Sequence, residues 1–236
     1  MRIFPALAAV LAWGASAPAG AQCGRPDGPG VGLVLSGGGA RGIAHVGVLE
    51  VLEQEGIAVD CVAGTSMGSA IGALWASGYS AEEIARIVQS IDWQDVFSGR
   101  RVRSLVPLSR RIDDVPAILR LRMDGLRPRL PPSRDSDYRL NRLLFRLLAE
   151  RGLQAGGDFD RLPIPFRTVA TDLATVQPIV LARGSLPRAV RASMSPPIAL
   201  PTIETDGRVL VDGGIVDNVP VDLARAMGAG VVIAVD

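Results

Sequence analysis

The chain has 236 residues, 48% of them hydrophobic and only 4% aromatic, with 27 glycines and a formal charge of +1. That length suffices for one sizeable domain with a real core. With a near-zero net charge, nothing global points to nucleic-acid binding. Every basic residue is arginine, which reads as genome composition and not as chemistry.

Residues 1–21 read as a targeting segment. Arg2 is a positive start, residues 3–13 are mostly apolar, and Ala19-Gly20-Ala21 suits a small-x-small cleavage site. The apolar run is too short to span a bilayer. The pattern predicts export, with a mature chain from about Gln22. Gln22 before Cys23 does not suit a lipid-attachment site. Residues 22–30 form a Pro/Gly-rich linker, and residues 31–236 form one domain. An oxidising compartment would allow Cys23 and Cys61 to pair. The place of Cys61 in an apolar strand favours instead a thiol packed in the core. Two cysteines and one distant histidine do not make a metal site.

An apolar run at 31–35 predicts a buried parallel strand feeding Ser36-Gly37-Gly38-Gly39-Ala40-Arg41-Gly42. A helix follows over 43–55, with Val46, Leu49 and Leu52 on one face and Gly56 as its stop. A second strand over 57–63 leads into Gly64-Thr65-Ser66-Met67-Gly68 and a helix to about Ser77. Ser80 and Glu83 form a capping box for a helix through Gln89. Residues 92–132 carry many Arg, several Pro and weak periodicity. Residues 100–146 hold thirteen Arg against five Asp. This stretch is expected to be solvated surface, with a cap that meets anionic head groups as the alternative.

The leucines of 138–151 mark an amphipathic helix. Strands are expected at 165–170 and 177–181 around a polar Thr171-Asp172 turn. A short helix at 185–191 and a stiff loop, Ser193-Met194-Ser195-Pro196-Pro197, come next. A strand at 209–211 stops at Asp212-Gly213-Gly214. A helix at 219–227 precedes an apolar strand at 231–235. That last strand has the composition of a core strand, so a longer protein cut at a domain edge is expected.

The chemistry concentrates at Ser66. A serine between two glycines, in a strand–turn–helix context, marks an exposed and activated nucleophile, although a small-residue turn in a core has the same composition. Gly37 to Gly42 matches Gly-x-Gly-x-x-Gly, and Asp60 lies near the spacing of a ribose-binding acid. A dinucleotide site is therefore the rival reading. Against it, Asp60 falls at the start of its strand, and Ser66 occupies the end. The same glycine amides suit an oxyanion equally well. Arg41 would add charge there or pair on the surface. For a base, His45 is the only histidine and sits on a helix leading away from the strand ends, and there is no lysine. Asp212 is the best carboxylate, with Asp172 and Asp217 weaker. Parallel strands share one carboxyl edge, so Ser66 and Asp212 are expected to meet there.

Three motifs in this order and spacing, Gly37-Gly38-Gly39-Ala40-Arg41-Gly42, Gly64-Thr65-Ser66-Met67-Gly68 and Asp212-Gly213-Gly214, resemble those of the patatin-like phospholipases. His45-Val46-Gly47-Val48-Leu49, Ser193-Met194-Ser195-Pro196-Pro197 and Asp217-Asn218-Val219-Pro220 add to the likeness, which covers about 30–236. The resemblance implies a three-layer α/β/α fold with a mostly parallel central sheet. It implies a Ser66–Asp212 dyad, an oxyanion hole from the backbone of Gly37, Gly38 and Gly39, and supporting roles for Arg41, Gly42, Gly64, Gly68, Gly213 and Gly214. It implies hydrolysis of phospholipid acyl esters at a membrane surface, without metal or cofactor and without nucleic acid. An exported form also looks like patatin-type autotransporters, whose passenger precedes an outer-membrane barrel. A non-catalytic, lipid-binding passenger is a third reading.

Overall fold

The computed structural model describes residues 23–24, 28–93, 96, 122–124, 127–129, 137–197 and 199–236. The segment expected to be a targeting signal and most of the Arg-rich stretch lie outside these residues. In chain order the elements are β1 (Gly30–Leu35), a 3-10 helix (Gly39–Ala44), α1 (His45–Gln54), β2 (Cys61–Thr65), α2 (Met67–Ala76) and α3 (Ala81–Ser90). Then come β3 (Arg122–Asp124), β4 (Arg127–Arg129), α4 (Asp137–Gln154), β5 (Phe166–Asp172), β6 (Gln177–Leu181) and α5 (Leu186–Ser193). The last are β7 (Ile203–Thr205), β8 (Arg208–Asp212), α6 (Val221–Ala226) and β9 (Ala229–Val235).

The central sheet has seven strands in the order β7-β8-β5-β2-β1-β9, with β6 also paired to β5. β9, β1, β2 and β5 are parallel. β6, β7 and β8 run antiparallel to their neighbours. β2 is buried along its whole length because helices cover both faces, the usual reason for an unbroken apolar strand in a parallel sheet. The larger core joins Leu33, Leu35, Val62 and Phe166 to apolar side chains of α1 to α5. A smaller one joins Val34, Cys61 and Ala63 to Ala224 and Met227 beside α6. The result is three layers, as expected.

Several expectations are corrected. β2 begins at Cys61, not at residue 57. Ile57 is exposed, and the Asp60 carboxylate accepts the Val31 N–H at 2.7 Å, which pins the approach to the strand. Thr171 and Asp172 belong to β5, because β6 and β8 both pair with them and these ladders outweigh their turn preference. The turn follows at 173–176, where Asp172 Oδ1 accepts the Ala174 N–H at 3.0 Å. β9 lies at one edge of the sheet, with several exposed positions. Cys23 and Cys61 form a disulfide, with Cα atoms 5.1 Å apart. The Cys61 side chain faces the α6 side of the sheet, and the Cys23 N–H reaches Met227 O there at 2.8 Å.

The register of β5 decides where the site lies. β5 residues 168–172 pair with β6, so β6 occupies one edge of that stretch. β2 pairs with residues 166–169 and β8 with residues 170–172. A residue offers each edge to one neighbour only, so β2 and β8 share the other edge. They run head-on and stop one residue apart, Thr65 opposite Val169 and Asp212 opposite Ala170.

Candidate active site

Ser66 follows β2 directly and caps α2 with φ 51° and ψ −119°. A non-glycine residue in that region carries strain of about 1–3 kcal/mol and persists only where its surroundings hold it. Here the Ser66 N–H donates to Ser193 Oγ at 2.8 Å. The Ser66 carbonyl accepts the Ala70 N–H at 3.2 Å. One turn on, the Gly68 N–H donates to Ser36 O at 3.1 Å. A Cβ on Gly68 would sit 2.2 Å from Leu35 O, so only glycine lets α2 press against the end of β1.

Asp212 ends β8 and is buried. Its Oδ2 accepts the Ser66 hydroxyl at 2.8 Å. Its Oδ1 accepts the Gly214 N–H at 2.8 Å. The Asp212 N–H donates to Ser195 O at 2.8 Å, and its carbonyl accepts the Thr171 hydroxyl at 2.7 Å. Burial raises the carboxyl above the ordinary aspartate range, while the Gly214 amide and the Ser66 hydroxyl hold it down. The net effect is a more basic carboxylate. Gly213 is needed where the chain leaves β8, since a Cβ there would lie 2.2 Å from Val169 O.

The two residues meet, as anticipated, but not because their strands are parallel. β8 runs against β5, and the pair is assembled by two strands converging on one seam.

The glycine loop is less uniform than expected. The Gly37 N–H already donates to Asn218 O at 3.2 Å, and Asn218 Nδ2 returns a bond to Gly37 O at 3.2 Å. Among the described residues, the Gly38 and Gly39 amides meet no acceptor; they open the 3-10 helix, with Gly39 at φ 56°. Below them, the buried His45 sets Nε2 2.9 Å from Ser36 O. A carbonyl only accepts, so Nε2 carries the proton. His45 braces the loop instead of meeting Ser66, in keeping with a packed polar residue. Arg41 is exposed, Gly42 packs on Met67, Gly64 lies within β2 against the Gly68 backbone, and Gly214 lies in the turn after Asp212.

The remaining candidates lie elsewhere. Asp60 sits at the opposite end of β2 from Ser66 and cannot serve a ribose beside the glycine loop. Asp172 caps its own turn. Asp217 lends its backbone carbonyl to the Thr65 hydroxyl at 2.9 Å, and burial followed by the charge of Asp222 raises its carboxyl. Sequence reasoning assigned no role to Ser193, Ser195, Arg191 or Thr171. The Ser193-to-Pro197 stretch stood out only as part of a family likeness.

An apolar cavity runs along α2 from Met67. Met67, Ala70, Ile71 and Leu74 form one wall at helical spacing, and α3, α4 and Met194 form the others. It is small, about 30 Å³, and its lining is entirely apolar.

A strained serine hydrogen-bonded to a buried carboxylate, at the seam of a mostly parallel sheet and beside a glycine-rich loop, is an α/β arrangement chemically suited to acyl transfer. The chain belongs to the patatin-like phospholipase family, whose model matches residues 33–225. It is 35% identical over 211 residues to patatin-like phospholipase domain-containing protein 6 of Homo sapiens, covering 87% of this chain and 13% of that protein. It is 36% identical over 214 residues to lysophospholipase nte1 of Aspergillus fumigatus, covering 91% and 12%. This chain therefore spans only about an eighth of the length of these relatives. Among solved structures, VipD from Legionella pneumophila superposes with a TM-score of 0.51 at 16% identity, over 83% of this chain and 47% of that one. That likeness is one of fold.

Proposed function

We propose that the chain is a serine lipid acyl hydrolase of the phospholipase A or lysophospholipase type. The observation that carries this reading is the 2.8 Å hydrogen bond from Ser66 Oγ to Asp212 Oδ2 on a strained elbow. Asp212 removes the hydroxyl proton as Ser66 Oγ attacks the ester carbonyl. The Gly38 and Gly39 amides hold the oxyanion of the tetrahedral intermediate, with roughly 3–4 kcal/mol of stabilisation lost on removing such a donor. The protonated Asp212 then gives its proton to the departing glycerol oxygen. Water enters, loses a proton to Asp212 and attacks the acyl-enzyme. Collapse breaks the acyl bond to Ser66 Oγ, which takes the proton back from Asp212, and frees the fatty acid. Asp212 acts on Ser66 directly, with no imidazole between them.

The apolar side chains of α2 that follow Ser66, from Met67 to Leu74, support an apolar acyl group as the group transferred. The likeness to a patatin-like phospholipase and a lysophospholipase supports phospholipid or lysophospholipid esters at a membrane surface. A start-of-chain targeting pattern and the Cys23–Cys61 disulfide together support a place outside the cytoplasm, since such bridges persist in oxidising compartments. An exported chain linked to an outer-membrane barrel belongs to this same proposal.

The test is labelling of the protein by a fluorophosphonate probe, followed by turnover of phosphatidylcholine and lysophosphatidylcholine. Wild type should label and release fatty acid. Ser66→Ala and Asp212→Ala should do neither while remaining folded. Folded wild type that binds lipid vesicles without labelling or turnover would instead favour a non-catalytic lipid-binding domain.

A further inference from the structure

The nucleophile and the base are held by one short piece of chain. Ser193, the last residue of α5, accepts the Ser66 N–H at 2.8 Å through its Oγ. Two residues on, the Ser195 carbonyl accepts the Asp212 N–H at 2.8 Å. These residues are 127 and 17 positions away from their partners in sequence, so nothing local imposes either bond. Both serines are fully buried.

The bridging segment is itself clamped. Arg191 is 2% exposed, an uncommon place for a guanidinium. It donates to Ser195 Oγ, to Met194 O at 3.5 Å and to Pro201 O at 3.3 Å. The Ser195 hydroxyl donates back to Arg191 O at 2.8 Å. A planar donor fork that reaches two groups on this turn and a third at Pro201 fixes its shape more firmly than the backbone alone.

We infer that residues 191–195 act as a positioning bridge for the reaction proposed above, with Ser193 as its decisive member. The Ser193 oxygen holds the amide of a residue whose backbone conformation is unfavourable unless held. Without it the Ser66 backbone can relax, and the hydroxyl turns away from Asp212 and from the glycine-loop amides. Ser195 fixes the height of Asp212 at the same time. The bridge therefore sets the distance between base and nucleophile from outside both motifs. Ser193 touches no reacting atom. It acts through the geometry of Ser66 and so belongs among positioning residues, not catalytic ones. This inference rests on Ser66 being the nucleophile.

The experiment compares wild type with Ser193→Ala, Ser193→Thr and Ser193→Val. Threonine and valine match in shape and differ in whether the side chain offers an oxygen. The rate constant for fluorophosphonate labelling, the fraction finally labelled, and kcat and KM on a soluble chromogenic ester are measured for each. Ser193→Ala and Ser193→Val should lower the labelling rate constant and kcat by roughly tenfold or more, about 1.4 kcal/mol of barrier per tenfold. KM and the final labelled fraction should stay near wild type. Ser193→Thr should recover most of the rate. A merely structural role would instead lower the labelled fraction, since unfolded molecules never label while folded ones label normally. Equal rates for threonine and valine, or a wild-type rate in Ser193→Ala, would overturn the inference while leaving an active wild type in place. A wild type that neither labels nor turns over would instead remove the functional reading beneath it.

Discussion

Ser66 Oγ lies 2.8 Å from Asp212 Oδ2 although the strands that deliver the two residues run in opposite directions. The pair has no imidazole, so Asp212 must be both a competent base and a tolerable buried charge. Those demands oppose each other, and the conflict is measurable.

Replacing Asp212 with Asn should separate activity from stability. Asn keeps an acceptor for the Gly214 N–H but cannot take a proton. Turnover should fall by roughly a thousandfold or more. The folded state of wild type holds the Asp212 proton more tightly than the unfolded chain does. Its stability contribution is thus full below the unfolded value and is lost as pH rises through the raised folded one. Near neutral pH the buried charge is a standing cost. Asp212→Asn should therefore raise the thermal midpoint at pH 7, by roughly 0.5–2 kcal/mol of stability, with the gain vanishing in acid. A midpoint lower than wild type at pH 7 would show that the charge is compensated after all.

The acid limb of the rate should follow the same carboxyl. kcat/KM reports the free protein's ionisations, so it should fall as pH drops through a value above the ordinary aspartate value of about 4. Asp217 is also raised, by burial and by Asp222, and provides the control. A pH profile of Asp217→Asn that keeps the limb in place assigns it to Asp212. A limb that moves in that variant reassigns it.

The disulfide should matter to stability and little to chemistry. It closes a loop with a separation of 38 residues, for which chain entropy gives about 3–4 kcal/mol. Cys61 is five residues from Ser66 along an extended strand, roughly 16 Å at the usual rise. Cys23→Ser with Cys61→Ser should lower the denaturant midpoint, while the folded fraction keeps a labelling rate near wild type. A large drop in that rate would mean that the tether shapes the elbow.

The apolar cavity should set acyl-chain preference. Leu144, buried on α4 and lining the cavity, is the place to enlarge it. Leu144→Ala should raise the ratio of kcat/KM for a palmitoyl ester over a butyryl ester by roughly tenfold. An unchanged ratio would place the chain elsewhere.

Local chemistry was legible in the sequence, and non-local pairing was not. The elbow at Ser66 is written in five adjacent residues, and its strain follows from the strand and helix on either side. Asp212 was legible as a residue that ends a strand before two glycines. The direction of that strand was not, because it depends on β5, some forty residues away. The same gap hid the disulfide, which turns on the face that Cys61 presents and on where residue 23 returns. It hid Ser193 as well, since a buried serine in a short helix says nothing of whose amide it accepts. Among the three glycine amides, only the placement of Asn218 reveals that the first is already occupied.

The head-on meeting of β2 and β8 turns β5 into a ruler. The gap between Ser66 and Asp212 is one peptide step along a strand that supplies neither residue, from Val169 to Ala170. One residue inserted between them would move the two arriving strands apart by about 3.3 Å, more than their hydrogen bond can stretch. It would also reverse the facing of every side chain beyond the insertion. The loops around the site have room to vary in length, but this strand has none. Its tolerance to insertion is set by the bond it measures out, not by the core it fills.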